Sequence, residues 1–385
     1  MEDTVRSTLL LTDENEPILQ ETVAGLPLRE RIRRASERAG FQQVAYLTNL
    51  EPGQEQPAAS SDHLYALLKP GYLPDTGFLE ALQAVPPGQF LVGEAALVHR
   101  SCNPDSFLQQ LSKHSARPDL FALLQSEFPT QSMEPGGGRL YPLKNREDIS
   151  AVEDHLFQSL LKNTEGFMEK HLERKISLAL SRRLASTSIT PNQMTVLSLC
   201  VGLVGAGLMA IPASPWAVVG SLLFIAHAIL DGCDGELARI KFLQSRFGGL
   251  LDYWGDNVVH SAVFLAIAVA WSQKQPGPLP YALAGLAIFG GLASAGWIYF
   301  LTMHNKSGDD PLYTSVSNAK EKSRLTKVAD MLSRRDFIYL VAVLAFFGKL
   351  HWFLVMSAIG APVFFLALLW IHFTEKPPRQ PGQAV

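Results

Sequence analysis

Hydrophobic and polar residues are distributed very differently in the two halves of this chain. Residues 1–190 alternate short apolar runs with polar stretches, as a water-soluble protein does, whereas 193–373 hold nearly all the long apolar runs. An apolar run of about 20 residues is long enough to cross the hydrocarbon core of a bilayer as a helix. The pattern therefore predicts a soluble domain followed by an integral membrane domain.

Apolar runs in the second half define six candidate membrane spans. They cover about 193–211, 214–237, 249–272, 280–302, 331–348 and 351–373. The fifth is the weakest, because its apolar part extends only from Phe337 to Phe347. Just before the first span, residues 168–187 mix leucine and isoleucine with lysine and arginine, the pattern of an amphipathic helix lying in the membrane interface. The alternative is that these basic residues only anchor the chain on one side. We expect an all-α six-helix domain with an interfacial helix at its entrance.

Basic residues in the loops set the expected orientation. In the membrane half, most lysines and arginines lie in loops 238–248 and 303–336 and in the tail, whereas the alternate loops hold one at most. Because basic loops stay on the cytoplasmic side, we expect both termini in the cytoplasm of a prokaryotic-type inner or plasma membrane. Residues 1–18 lack the basic start and apolar core of a signal peptide, so none is expected.

The first half alternates strand-like and helix-like segments. Runs at 5–11 and 43–49 are typical of buried strands, and 26–39 has helical periodicity that ends at Gly40. This alternation predicts an α/β domain with a mainly parallel sheet. The expected organisation is then an α/β domain, a helical linker with the interfacial helix, the membrane domain and a tail: 1–147, 148–190, 191–375 and 376–385.

Composition excludes several functional classes. The net charge of −3 and the lack of a basic tail predict no binding to nucleic acid. The three cysteines, Cys102, Cys200 and Cys233, lack the spacing of metal ligands, and two of them lie in apolar segments. Neither a zinc site nor a disulfide framework is therefore expected.

Four aspartates stand at the junction of the second and third spans: Asp231, Asp234, Asp252 and Asp256. Residues three or four positions apart share one face of a helix, so each pair presents two carboxylates together. Four carboxylates in a region of low dielectric repel one another unless a cation compensates their charge. The spacing therefore predicts a divalent metal site, which the loop charges place near the cytoplasmic face. A transporter site, the competing interpretation, lies nearer the bilayer midplane.

The segment from Asp231 to Asp256 matches D-x-x-D-G-x-x-A-R-(eight residues)-G-x-x-x-D-x-x-x-D at every specified position. This pattern resembles the signature of the CDP-alcohol phosphotransferase (phosphatidyltransferase) family, and the resemblance covers about 170–373. The whole chain is also similar to fused members of that family, in which a cytidylyltransferase-like domain precedes the membrane enzyme. Their best-known representatives make di-inositol phosphate phosphate.

The resemblance implies transfer of a phosphoryl-linked group from a CDP-activated donor to an alcohol, with release of CMP. It implies that Asp231, Asp234 and Asp252 bind Mg²⁺ or Mn²⁺, with two ions expected, and that Asp256 is the general base and touches the second ion. The other implied roles are nucleotide binding by Asn192, Thr195, Gly235, Ala238 and Arg239, and binding of an acceptor phosphate by Lys241 and Arg246. Gly248 is implied to allow close packing of the second and third spans. A homodimer in contact with membrane lipids is also implied.

Residues 9–40 resemble the opening of a sugar-phosphate nucleotidyltransferase, where a strand, a glycine-rich phosphate loop and a helix follow in order. The corresponding loop here, 12–17, has no glycine and three acidic residues, which repel a nucleotide phosphate. We therefore predict a nucleotidyltransferase-like domain without activity, with a structural, regulatory or dimerising role.

The identity of the substrates stays open at this stage. CDP-diacylglycerol is the favoured donor, giving a phospholipid from inositol phosphate, glycerol phosphate or a similar alcohol. CDP-inositol is the alternative donor, and an inactive scaffold paralogue is a further alternative. His260, Tyr253 and Trp254, beside the second aspartate pair, are interpreted as packing residues.

Overall fold

The computed structural model describes residues 6–11, 16–47, 62–69, 71–92, 95–101, 107, 111, 120–127, 131–134, 137–161, 168, 172–302 and 337–374. The chain divides into two compact units, Met1–Gln158 and Ser159–Val385.

The first unit is an α/β domain. Its elements are β1 (Arg6–Leu11), α1 (Pro17–Gln20), β2 (Thr22–Val23), β3 (Leu26–Pro27), α2 (Leu28–Arg38), β4 (Gln43–Tyr46), β5 (His63–Leu68), β6 (Tyr72–Pro74), α3 (Thr76–Gln83), β7 (Gly88–Val92), β8 (Ala96–Ser101), α4 (Leu120–Glu127), β9 (Gln131–Met133), β10 (Leu140–Pro142) and α5 (Arg146–Gln158). The main sheet has the order β4-β1-β5-β8-β7-β9. Strand β8 runs antiparallel to both neighbours, and the other pairings are parallel. The expected mainly parallel sheet is therefore a mixed one.

The central strands of this sheet are covered on both faces. Leu9 and Leu10, which point to opposite faces of β1, are both fully buried. Helix α5 belongs to this unit, since Val152 and Phe157 are buried and Glu153 Oε1 accepts a hydrogen bond of 2.5 Å from the Ala24 backbone. The first unit thus continues past 148, where the sequence predicted the linker to begin. Most of the loop predicted to have lost phosphate binding, 12–15, lies outside the described residues.

The second unit is helical. Its elements are α6 (Arg174–Ala185), α7 (Pro191–Met209), α8 (Ser214–Ile240), α9 (Arg246–Lys274), α10 (Leu279–Thr302), α11 (Phe337–Phe346) and α12 (Leu350–Thr374). Five of these, α7 to α10 and α12, are long and apolar enough to cross a membrane. The fifth predicted span appears as α11, a helix of 10 residues, and residues 303–336 before it are not described. A six-span count is therefore not confirmed.

Small residues let α7 and α8 approach closely. A Cβ atom added to Gly220 would lie 2.5 Å from the carbonyl oxygen of Gly205, so the two backbones meet at this point. Helix α9 packs against α7 and α10, α10 packs on α12, and α11 contacts α8 and α12. Helix α7 therefore packs against both helices that carry the aspartates, α8 and α9.

Helix α6 occupies the segment predicted to be amphipathic. Ser177, Ser181 and Ala185 form its buried stripe, and α6 packs on α8. Leu172 and Ile176 are exposed, as expected for side chains that enter a membrane interface. Placement of this helix in the interface stays a prediction.

Candidate active site

Three aspartates on two helices form a compact acidic group. Carboxylate oxygens of Asp231 on α8 and of Asp252 and Asp256 on α9 all lie within 4.8 Å of one another. Asp231 is only 4% exposed, and within the described structure the buried Oδ1 of Asp252 accepts no hydrogen bond. Clustered carboxylates with an unsatisfied buried oxygen suit a hard divalent cation, which takes oxygen ligands. The donor set therefore fits the predicted metal.

Asp234 stands beside this group and is held by a neighbouring helix. Its Oδ2 accepts a hydrogen bond from the hydroxyl of Thr195 on α7, and both residues are buried. It also interacts electrostatically with Asp231 and Asp256. The four aspartates predicted as one site thus form a group of three with Asp234 alongside, fixed by a neutral donor.

His227 is a site residue that the sequence analysis missed. Its Nδ1 lies 2.9 Å from the Ser198 carbonyl oxygen, a contact that requires Nδ1 to carry a proton and donate. Its Nε2 then faces Asp256, 3.5 Å from Oδ1. The available signal was its position four residues before Asp231, which places both on one face of α8.

Asn192 and Gly248 meet where α7 and α9 begin. A Cβ atom added to Gly248 would lie 2.7 Å from Asn192 Oδ1. Gly248 therefore permits close approach to the first span, α7, whereas the sequence analysis expected the close approach between α8 and α9. The amide N–H of Gly248 also donates to the Ser245 hydroxyl, the cap of α9, so a larger residue would disturb both contacts.

Gly235, Ala238 and Arg239 follow the first aspartate pair on α8. A Cβ atom at Gly235 would lie 3.3 Å from Arg239 Nη1, so the guanidinium folds back over this glycine. Gly235 and Ala238 lie four and seven residues after Asp231 and share its helix face. The predicted nucleotide-binding residues of α8 therefore adjoin the acidic group and leave space beside it.

The two predicted acceptor-binding residues have different surroundings. The Lys241 ammonium donates to the carbonyl oxygens of Thr187 at 2.7 Å and Ile189 at 3.3 Å, and burial lowers its pKa. Arg246 is exposed at the first position of α9. Lys241 is thus committed to the segment before α7, and Arg246 is the more accessible of the two.

The sequence analysis also missed Glu236, a buried carboxylate outside the group of aspartates. It is fully buried, and its Oε1 accepts hydrogen bonds from Arg174 Nη1 at 2.9 Å and Ser177 Oγ at 2.7 Å. Glu236 follows Asp234 by two residues, about 200° around the helix, so it points away from the aspartates. The signal in the sequence was an acidic residue next to the aspartates that lies on a different face of the helix.

The residues interpreted as packing groups do pack. His260 contacts Phe224 and Phe337 edge to face, with ring centroids 5.6 Å apart in both pairs. The Tyr253 hydroxyl donates to the Ala295 carbonyl oxygen at 2.7 Å, and the rings of Tyr253 and Trp254 are perpendicular.

Comparison with known proteins assigns the second half of the chain. Residues 188–376 match the family model of the CDP-alcohol phosphatidyltransferases. Over 145 residues the chain is 35% identical to the bifunctional IPC transferase and DIPP synthase of Thermococcus kodakarensis. This match covers 37% of this chain and 32% of that protein. Over 78 residues it is 44% identical to the CDP-diacylglycerol–serine O-phosphatidyltransferase of Mycobacterium leprae, covering 20% of this chain and 25% of that protein.

The chain thus matches about a third or less of the length of these curated relatives. It is also similar to the crystal structure of Mycobacterium tuberculosis phosphatidylinositol phosphate synthase with CDP-DAG bound, with a TM-score of 0.39 and 18% identity over 55% of this chain and 100% of that one. On the family match, the part of the chain that carries the aspartates, residues 188–376, belongs to the CDP-alcohol phosphatidyltransferase family.

Proposed function

We propose that this protein is an integral membrane CDP-alcohol phosphotransferase. It transfers a phosphatidyl or other phosphoryl-linked group from a CDP-activated donor to an alcohol and releases CMP. The observation that carries the proposal is the group formed by Asp231, Asp252 and Asp256, whose carboxylate oxygens lie within 4.8 Å at the ends of two apolar helices. Membership of residues 188–376 in the family supports the reaction type.

Asp231, Asp252 and Asp256, with Asp234 beside them, are the proposed ligands of two Mg²⁺ or Mn²⁺ ions. The bound metal supplies positive charge that neutralises the donor pyrophosphate and the departing CMP. Thr195 keeps Asp234 oriented towards this charge through its hydrogen bond.

The remaining residues bind the nucleotide and handle the proton. Asn192, Thr195, Gly235 and Ala238 form the walls of the nucleotide site, and the planar guanidinium of Arg239 binds phosphate oxygens. The acceptor oxygen forms a bond to phosphorus while the bond from that phosphorus to the CMP oxygen breaks. Asp256 accepts the proton of the acceptor hydroxyl at a carboxylate oxygen, and Nε2 of His227 lies 3.5 Å from its Oδ1.

CDP-diacylglycerol is the proposed donor, and a phosphorylated alcohol such as inositol phosphate or glycerol phosphate is the proposed acceptor. Similarity over 78 residues to a CDP-diacylglycerol–serine O-phosphatidyltransferase supports this donor. Similarity to bifunctional IPC transferases and DIPP synthases favours CDP-inositol as the second candidate. Exposed Arg246 is the proposed contact for the acceptor phosphate, with Lys241 as the weaker candidate because its ammonium already binds two carbonyls.

The first unit is proposed to be a nucleotidyltransferase-like domain without catalytic activity. Both termini and the active site are proposed to face the cytoplasm, because loops rich in lysine and arginine generally stay on that side. A homodimer is proposed from family resemblance.

Release of CMP tests this function. Purified protein in lipid vesicles, with Mg²⁺ and either CDP-diacylglycerol or CDP-inositol, is incubated with a panel of alcohols and phosphorylated alcohols. We expect CMP release with one donor, and we expect Asp256→Asn to lower its rate by about 10²- to 10⁴-fold, the range for loss of a general base. Asp252→Asn, which removes a proposed metal ligand, should abolish CMP release.

Glu147→Gln, which alters an exposed carboxylate of the first unit, is the matched control and should leave the rate unchanged. Absence of CMP release with every donor and acceptor, or full activity of Asp256→Asn, contradicts the proposal.

A further inference from the structure

Lys241 anchors the short segment that joins α6 to α7. This residue directly follows α8, and its ammonium binds the carbonyl oxygens of Thr187 and Ile189 at 2.7 and 3.3 Å. Lys241 is only 6% exposed, and both of these hydrogen bonds are partly buried. A lysine in such a place stays charged only when the carbonyl dipoles replace its lost hydration. The contact therefore holds the joining segment firmly to the end of α8.

Glu236 forms a second anchor one turn earlier on α8. It is fully buried and binds Arg174 and Ser177, both on α6, at 2.9 and 2.7 Å. Breaking a buried ion pair by removing one partner leaves an uncompensated charge, which is strongly unfavourable. Since Glu236 points away from the aspartates, its role in the site is indirect.

Together the two anchors decide where α7 begins. Only residues 186–190 separate α6 from α7, and Thr190 caps α7 by accepting a hydrogen bond from the Gln193 backbone. The first turns of α7 then place Asn192 against Gly248 and Thr195 against Asp234. A shift of the joining segment would move both contacts at once.

We propose that Glu236 and Lys241 are positioning residues that hold the start of α7 in place as one wall of the site for the CDP group. This inference rests on the proposed function, because the CDP group is the ligand that Asn192 and Thr195 would contact. The two anchors therefore affect binding of the CDP donor. This role takes the place of the acceptor contact considered for Lys241, and the acceptor then contacts neither anchor.

Kinetics that separate donor from acceptor test the proposal. We expect Glu236→Gln, Arg174→Gln and Lys241→Met each to raise KM for the CDP donor about tenfold, which corresponds to about 1.4 kcal/mol. The KM for the alcohol and kcat at saturating donor should change by less than about twofold, because neither anchor touches the reacting atoms. Arg174→Gln combined with Glu236→Gln should be no worse than the larger single effect, since both remove one interaction.

Arg183→Gln is the matched control, because it removes an exposed arginine from the same helix and should leave both KM values unchanged. Binding of CDP with Mg²⁺, measured by calorimetry, and hydrogen exchange of residues 187–195 supply readouts that need no turnover. We expect weaker CDP binding and faster exchange in the anchor variants. If Glu236→Gln does not fold, Ser177→Ala removes one hydrogen bond while keeping the ion pair, and a smaller shift in the same direction is expected.

Unchanged donor KM and CDP affinity in the folded variants would overturn the inference. A rise in the KM for the alcohol in Lys241→Met would also overturn it, because this result would mean that Lys241 binds the acceptor phosphate. Failure of the wild-type protein to release CMP from any donor contradicts the proposed function instead. In that case unchanged exchange of 187–195 in the anchor variants would overturn the positioning role independently.

Discussion

At the scale of single residues, contacts between helices position two carboxylates of the acidic site. Thr195 donates a hydrogen bond to Asp234, and Nε2 of His227, whose ring is fixed by the Ser198 carbonyl oxygen, lies 3.5 Å from Asp256 Oδ1. The Thr195 hydroxyl carries no charge, so it leaves the negative charge of Asp234 available to a divalent cation. These buried contacts define the surroundings of the Asp234 and Asp256 carboxylates.

Thr195→Val tests this arrangement, because valine keeps the shape of threonine and removes the hydroxyl. A hydrogen bond to a charged group contributes about 1.5–3 kcal/mol, so we expect the Mg²⁺ concentration for half-maximal CMP release to rise about tenfold or more. Ser221→Ala is the control, since its buried hydroxyl binds the Val218 carbonyl of its own helix near the opposite end of α8. An unchanged Mg²⁺ dependence in Thr195→Val would show that Asp234 needs no such partner.

The close pairing of α7 and α8 governs the site at the scale of elements. The two helices meet backbone to backbone at Gly205 and Gly220, and the same pairing brings Thr195 to Asp234 near their other ends. Small residues at a contact permit this short separation between membrane helices. The glycine contact and the acidic site are therefore two ends of one helix pair.

Gly220→Ala should force this pair apart. The added Cβ would lie 2.5 Å from the Gly205 carbonyl oxygen and 3.0 Å from the Met209 nitrogen, and neither backbone atom can swing aside. We expect a loss of about 1–3 kcal/mol in stability, the usual cost of overpacking, seen as a lower Tm in detergent. Gly207→Ala, on α7 with nothing within 4 Å of its added Cβ, should leave Tm unchanged or raise it. Equal Tm values for the two variants would argue against a tight α7–α8 contact.

At the scale of the whole molecule, an α/β unit precedes a helical unit with five long apolar helices. Helices α8 and α9 are joined by only a few residues and carry the aspartates beside this connection. The proposed orientation puts the connection in the cytoplasm, where soluble phosphorylated alcohols and released CMP are found.

Labelling of introduced cysteines tests this orientation. In a background without native cysteines, Ser186→Cys, before α7, should react with a membrane-impermeant thiol reagent only in inside-out vesicles. Gln275→Cys, exposed just after α9, should react only from the outer side of intact cells. The reverse pattern would place the active site on the other face of the membrane.

Local pattern was sufficient for much of this architecture. Helical membrane segments follow from apolar length, and the pairing of Asp231 with Asp234 and of Asp252 with Asp256 follows from helical spacing. The family signature added the reaction type. These features depend on residues close together in the chain, whose relation is set by backbone geometry. The fifth predicted span was weak in sequence and is a short helix in the structure.

Only the tertiary structure decided which side chains meet across helices. Thr195 and Asp234 are 39 residues apart, and His227 and Ser198 are 29 apart, so no local periodicity relates them. Likewise, Lys241 was predicted to bind an acceptor phosphate, whereas packing places its ammonium against the carbonyls before α7. The sequence by itself determined the membrane helices and the metal-binding chemistry because both follow from composition and spacing along one helix. The partners that orient the carboxylates depend on how the helices pack, and that was settled only by the fold.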